Sequence, residues 1–166
     1  MNWIVFIYKL PSKPTKYRAY VWREIKKYGA LYLQDGVCIV PDTDDVQLFI
    51  GVLAEKVVEF GGQEFTFHST TFSKEKDAEM VQQFNETRDA EYRELNPALE
   101  RMLETLEEEE EWEFSPAQAL KVRDDFRKLQ RSFQAIEARD YFESESGRRL
   151  RLQIDQCRKL LNQRFP

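Results

Sequence analysis

The stretch Ala30-Leu31-Tyr32-Leu33-Gln34-Asp35-Gly36-Val37-Cys38-Ile39-Val40-Pro41 holds an Asp-Gly pair between two apolar runs. A two-residue hairpin turn needs positive φ, which glycine adopts without a steric penalty, so this pair predicts two strands, about 31–34 and 37–40. Backwards from there, Gly29 stops a helix predicted from about 16 to 29. Thr15 caps it, and its apolar stripe is Tyr17, Val21, Ile25 and Tyr28, with Trp22 beside it. Ahead of that helix, residues 3–10 are apolar on both alternating faces, Trp3, Val5 and Ile7 on one and Ile4, Phe6 and Tyr8 on the other. Such a strand is central and covered on both sides. Forwards from the hairpin, Asp42 or Thr43 caps a second helix whose stripe is Val46, Phe49, Ile50, Leu53, Val57 and Phe60, stopped at Gly61-Gly62. A last strand runs from Glu64 to Phe72, with Phe65 and Phe67 on one face and Thr66 and His68 on the other. The order β-α-β-β-α-β is that of the ferredoxin-like split βαβ arrangement, in which the first and third strands are central and both helices cover one face. The second apolar face of the first strand then needs a cover, from the C-terminal half or from a second subunit.

From residue 74 the apolar period is helical. Val81, Phe84, Tyr92, Leu95, Leu99, Met102 and Leu106 form a stripe that Arg88 interrupts. Asn96-Pro97 falls inside it and either kinks the helix or starts a new one. The acidic run Glu107 to Glu111 precedes Trp112 and Phe114. Ser115-Pro116 then restarts a helix with the stripe Leu120, Phe126, Leu129, Phe133 and Ile136. After a turn at residues 141–147, a final helix carries Leu150, Ile154, Cys157 and Leu161. The expected class is α+β: a ferredoxin-like βαββαβ domain, residues 1–73, followed by a helical C-terminal unit of two to three amphipathic helices, residues 74–166, packed on it.

Composition narrows the function classes. Of 166 residues, 42% are hydrophobic and 33% charged, which excludes a disordered or collagenous chain. No apolar run approaches the ~18–20 residues of a membrane span, so no membrane partner is expected. The start, Met1 to Tyr8, lacks a basic leader and reads as a strand and not as a signal peptide. Two distant cysteines, Cys38 and Cys157, exclude a disulfide framework and favour a cytoplasmic location. No cofactor is expected. There is one histidine, His68, and the chain has no CxxC, HxxxH, GxSxG or phosphate-binding glycine loop. In the expected sheet the first strand separates Cys38 from His68. The glutamate run points in all directions and reads as a solvated connector, with Mg²⁺ binding as the rival reading.

Charge is uneven. The net value is −5, yet residues 1–42 carry +4, residues 43–73 −4, residues 74–114 −10 and residues 115–166 +5. Three basic groups stand out: Arg18, Arg23, Lys26 and Lys27 around the first helix; Arg123, Arg127 and Arg131 at four-residue steps; and Arg148, Arg149 and Arg151 opening the last helix. Exposed Lys and Arg neutralise phosphates, and guanidinium groups fork onto tetrahedral oxyanions. The competing reading is internal pairing with the acidic 74–114 segment. Against it, Arg148 sits near a helix N-terminus, where the dipole disfavours a cation, so an external reason for that cluster is indicated. Trp22 reads most simply as packing, and Arg23 as a tether for Asp35 of the hairpin.

Several segments resemble one family. Asn2-Trp3 before an apolar strand and Leu10-Pro11, Arg18-Ala19-Tyr20-Val21-Trp22-Arg23, Gly29-Ala30, Leu33-Gln34-Asp35-Gly36-Val37, Val40-Pro41, Ala138-Arg139-Asp140-Tyr141-Phe142 and the late Cys157 are similar to the N-terminal domain of the chromate-resistance regulator ChrB. The resemblance implies a non-enzymatic protein of transcriptional regulation that binds DNA or a regulator, with chromate or another oxyanion as a ligand. The family's full regulators carry a further domain linked to chromate response. This chain ends at Pro166, so a stand-alone N-terminal module is expected. The front half also resembles the ferredoxin-like core of PaaX-type repressors and of small CRISPR spacer-acquisition nucleases. Those nucleases place an Asp where this chain has Lys9-Leu10-Pro11, so nuclease chemistry does not carry over. The rival function is an oligomeric interaction module, such as a homodimer, without nucleic-acid binding. A metal-dependent nuclease ranks third.

Overall fold

A computed structural model describes residues 1–108 and 115–165. The elements run β1 (Asn2–Lys9), α1 (Thr15–Lys27), β2 (Leu31–Gln34), β3 (Val37–Pro41), α2 (Asp44–Glu59), β4 (Gln63–Thr70), α3 (Lys74–Glu108), α4 (Pro116–Glu137) and α5 (Glu145–Arg164). The four strands form one antiparallel sheet in the order β2-β3-β1-β4, so β3 and β1 are central, as the sequence predicts for its first and third strands. The protein is mixed α/β with substantial helix. The chain divides into two compact units, Met1–Phe84 and Asn85–Pro166, and the division falls within α3.

In the first unit the hairpin between β2 and β3 forms where Asp-Gly predicts it. Gly36 has φ +71°, and a Cβ there would collide with the carbonyl of Tyr8, whose own N–H donates to the Gly36 carbonyl at 2.7 Å. Glycine at this point therefore lets β1 pass close to the turn. Helix α2 is capped by Thr43, whose Oγ1 accepts from the Val46 N–H at 3.4 Å. Helix α1 starts differently from expectation. Pro14 is its N-cap, without a side-chain hydrogen bond, and Thr15 is already helical. Gly29 and Gly61 follow the two helices and return N–H groups to the last turns, as the sequence suggests. Stacked rings join α1 to α2 at two points: Tyr17 with Phe60, at the end of α2, at 4.1 Å, and Tyr28 with Phe49, in its first half, at 3.5 Å between centroids.

The register puts Ile4, Phe6, Cys38 and Val40 on one sheet face, and all four are buried. On the other face Trp3 is fully buried, while Val5 and Ile7 are half-buried. The start of α3 supplies part of the cover. Phe84 stacks on Trp3 at 5.7 Å, and Asp77 accepts the Trp3 indole N–H at 2.8 Å. Trp22 departs from its reading as a packing residue. It is 51% exposed, because it sits one position off the Val21–Ile25 stripe, and Lys26 Nζ lies 5.7 Å from its ring.

In the second unit, Tyr92, Leu99, Leu103 and Leu106 of α3 form a core with Phe126, Phe133 and Ile136 of α4 and Leu150, Ile154, Cys157 and Leu161 of α5. Leu120, expected in the α4 stripe, is 64% exposed and lies outside it. Helix α3 runs unbroken through Pro97. Trp112 and Phe114 and most of the glutamate run lie outside the described residues.

Candidate nucleic-acid interface

Helix α4 opens with a complete capping box: Ser115 Oγ accepts from the Gln118 N–H at 3.3 Å, and Gln118 Oε1 accepts from the Ser115 N–H at 2.9 Å. Pro116 at its first position fits the same start. Helix α5 opens on Ser144, whose Oγ accepts from the Gly147 N–H at 3.2 Å. The connector between them is anchored by acids. Asp140 accepts from the Ser144 N–H at 3.1 Å and from the Tyr92 hydroxyl at 3.3 Å, and Asp89 accepts from the Ser146 N–H at 2.9 Å. Arg139 forks onto Glu91, with Nη2 at 2.7 Å and Nη1 at 3.0 Å. The Ala138–Phe142 stretch thus holds α4, α5 and α3 in register.

With those helices fixed, Arg123, Arg127 and Gln130 of α4 face Arg158 and Asn162 of α5 across an open groove of about 390 Å³ floored by Phe126 and Leu161. Each guanidinium is partly engaged. Arg123 Nη2 donates to the Phe165 carbonyl, Arg127 Nη1 to Asp124 Oδ1 at 3.0 Å, and Arg158 Nη1 to Asp155 Oδ1 at 2.6 Å. These are ion pairs or hydrogen bonds at or near the surface, and exposed pairs are worth only about 0–1 kcal/mol, so a phosphate can displace them. The remaining N–H groups and the two amides supply donors on several sides of an anion.

The other sequence candidates sort by unit. Arg18, Arg23, Lys26 and Lys27 are exposed on the α1 segment of the first unit, and among the described residues only Lys27 has an acidic partner, Glu24 at 3.9 Å. Arg23 makes no pair with Asp35 among the described residues. The turn is held instead by its backbone against β1. In the second unit Arg131, Arg148 and Arg149 are exposed and have no ion pair among the described residues, while Arg151 Nε meets Glu137 at 2.8 Å. None of the predicted basic residues pairs with a described acid of α3. The sequence reading missed Arg158, although it stands seven residues, two helical turns, after Arg151. It also noted Arg88 only as an interruption. In fact Arg88 is 3% exposed, with Nη2 on Glu91 Oε1 at 3.0 Å and its Nε and Nη1 without partners among the described residues.

Groups suited to other chemistry are dispersed. Cys38 on β3 and His68 on β4 have β1 between them. Burial pushes each cysteine thiol up to about 12. His68 Nδ1 instead bonds Asp42 Oδ2 at 2.8 Å. Among the described residues no three His, Cys, Asp or Glu side chains converge as a metal site, and no helix is long and apolar enough to cross a membrane.

Residues 18–164 match the protein family described as "Protein ChrB, N-terminal". No curated protein matches the chain.

Proposed function

Because the chain belongs to the ChrB N-terminal family, which ties it to chromate resistance, we propose that it is a non-enzymatic regulatory protein that contacts the phosphate backbone of duplex DNA. The observation that carries this reading is the α4–α5 groove, where Arg123, Arg127 and Arg158 converge beside two amide side chains. We read the sheet order β2-β3-β1-β4 with its two connecting helices as ferredoxin-like, which makes the first unit a scaffold of the kind that the likeness to PaaX-type repressors implies. Phosphate contacts position a protein without reading sequence, so base recognition lies outside this groove. The same donors fit a free tetrahedral oxyanion such as chromate.

Fluorescence anisotropy tests the proposal, with the duplex from upstream of the chain's own coding region and an unrelated duplex, each with and without chromate over a salt series. Tighter binding to the upstream duplex, weakened by chromate, is the expected result. Absence of binding at low salt removes DNA as the partner. A second reading, an oligomeric interaction module, draws on a separate observation: Phe65 and Phe67 are 62% and 51% exposed on one face of β4.

A further inference from the structure

The two edges of the sheet are built differently. Edge strand β2 has four residues, and its pairing with β3 shifts register between Tyr32 and Gln34. Short length and irregular pairing both blunt an edge against further strand addition. Edge strand β4 has eight residues, pairs with β1 without a shift, and contains neither Pro nor Lys.

The hydrogen bonds of β1 reveal which backbone groups β4 leaves outward. The Tyr8 N–H donates to Gly36, and the Asn2 carbonyl accepts from Asp42 at 3.1 Å, so the even-numbered residues of β1 turn towards β3. Alternation along an antiparallel strand turns Trp3, Val5 and Ile7 towards Ser69, Phe67 and Phe65 of β4. The N–H and C=O groups of Glu64, Thr66 and His68 therefore point out of the sheet, and no hydrogen bond among the described residues uses them. Beside them stand the exposed rings of Phe65 and Phe67.

We infer that this edge pairs with β4 of a second copy of the chain, antiparallel, about a two-fold axis through Thr66. The stretch Glu64-Phe65-Thr66-Phe67-His68 is symmetric in kind about its centre. In that register each outward N–H and C=O meets its counterpart, Thr66 opposite Thr66 of the second copy and Glu64 opposite its His68. Phe65 falls opposite Phe67 of the second copy at a non-hydrogen-bonded position, where facing side chains approach most closely. An axis at Phe65 would set Phe67 against Gln63, and one at Phe67 would set Phe65 against Ser69. Either would separate Glu64 from His68. Self-complementarity of one patch is what a two-fold interface requires.

Sedimentation velocity over a concentration series, without nucleic acid, tests this. The expected mass rises with concentration from 19.9 kDa to twice that value. Thr66→Pro, which removes an outward N–H at an edge where proline is tolerated, returns the chain to monomer with an unchanged circular dichroism spectrum. Phe72→Ser, which removes a fully exposed ring beyond β4, leaves the dimer intact. If Thr66→Pro fails to fold, Thr66→Lys sets like charges against each other on the axis and is expected to give the same monomer. A wild-type chain that stays at 19.9 kDa up to its solubility limit overturns the inference, as does a dimer indifferent to a folded variant at Thr66.

Discussion

At Asp77 three donors meet one carboxylate: the Met1 ammonium at 2.9 Å, the Trp3 indole at 2.8 Å and the Thr71 hydroxyl at 2.8 Å. Together they pull its pKa from 3.8 down to about 2, the ammonium contributing most. The folded chain therefore takes up this proton at lower pH than the unfolded chain. The stability Asp77 contributes is complete above 3.8 and is lost as pH falls towards about 2. Asp77→Asn is expected to lower the melting temperature at neutral pH and to flatten its fall over that acid interval, measured by circular dichroism. Arg88 is the opposite case, a cation buried with one of its three nitrogens satisfied among the described residues. Burial pushes its pKa down while Glu91 opposes the shift. Replacing a poorly compensated buried charge with an apolar side chain of similar length is often neutral or stabilising, by roughly 1–4 kcal/mol. Arg88→Met is accordingly expected to keep or raise the urea midpoint, with Glu91 still held by Arg139. A fall of about 3 kcal/mol or more would show that the guanidinium is needed.

Among the elements, α3 sets local preference against tertiary packing. Pro97 lacks an N–H and crowds the preceding turn, yet the helix continues, because Tyr92 and Leu99, seven residues apart, both lie in the core. The Asn96-Pro97 pair alone left two outcomes open, and only the burial on both sides of it decides between them. Pro97 is exposed, so Pro97→Ala restores a backbone hydrogen bond without disturbing the core and is expected to stabilise by about 1–3 kcal/mol in chemical denaturation. The strands were legible because their signals are local: Asp35-Gly36 for the hairpin, two-sided apolar alternation for β1. The start of α1 was not. Thr15 has the chemistry of a cap, but the helix begins one residue earlier than such a cap would allow. Leu120 was misplaced because an apolar residue near a helix start need not fall on the buried arc.

Across the whole molecule the net charge of −5 opposes polyanions, so any affinity for DNA must come from local clusters. Salt dependence then counts the arginines that engage. Removing one phosphate contact lowers the slope of log affinity against log salt by about 0.9. Arg127→Ala is expected to reduce the slope by that amount and to weaken both duplexes alike, measured by the same anisotropy titrations. The sequence identified Arg123 and Arg127 as a stripe, but the groove needs Arg158, on another helix, and no periodicity within α4 could point across to α5. Pairing with the acidic 74–114 segment was equally undecidable from segment charge, since charge totals carry no directions. One buried feature gains meaning from the family. Hexavalent chromium is an oxidant that thiolates reduce, and susceptibility to oxidation follows thiolate character and exposure. The chain has two cysteines, both 0% exposed and both held in the thiol form at neutral pH. Its own sulfur is therefore expected to reduce chromate only slowly while the chain is folded.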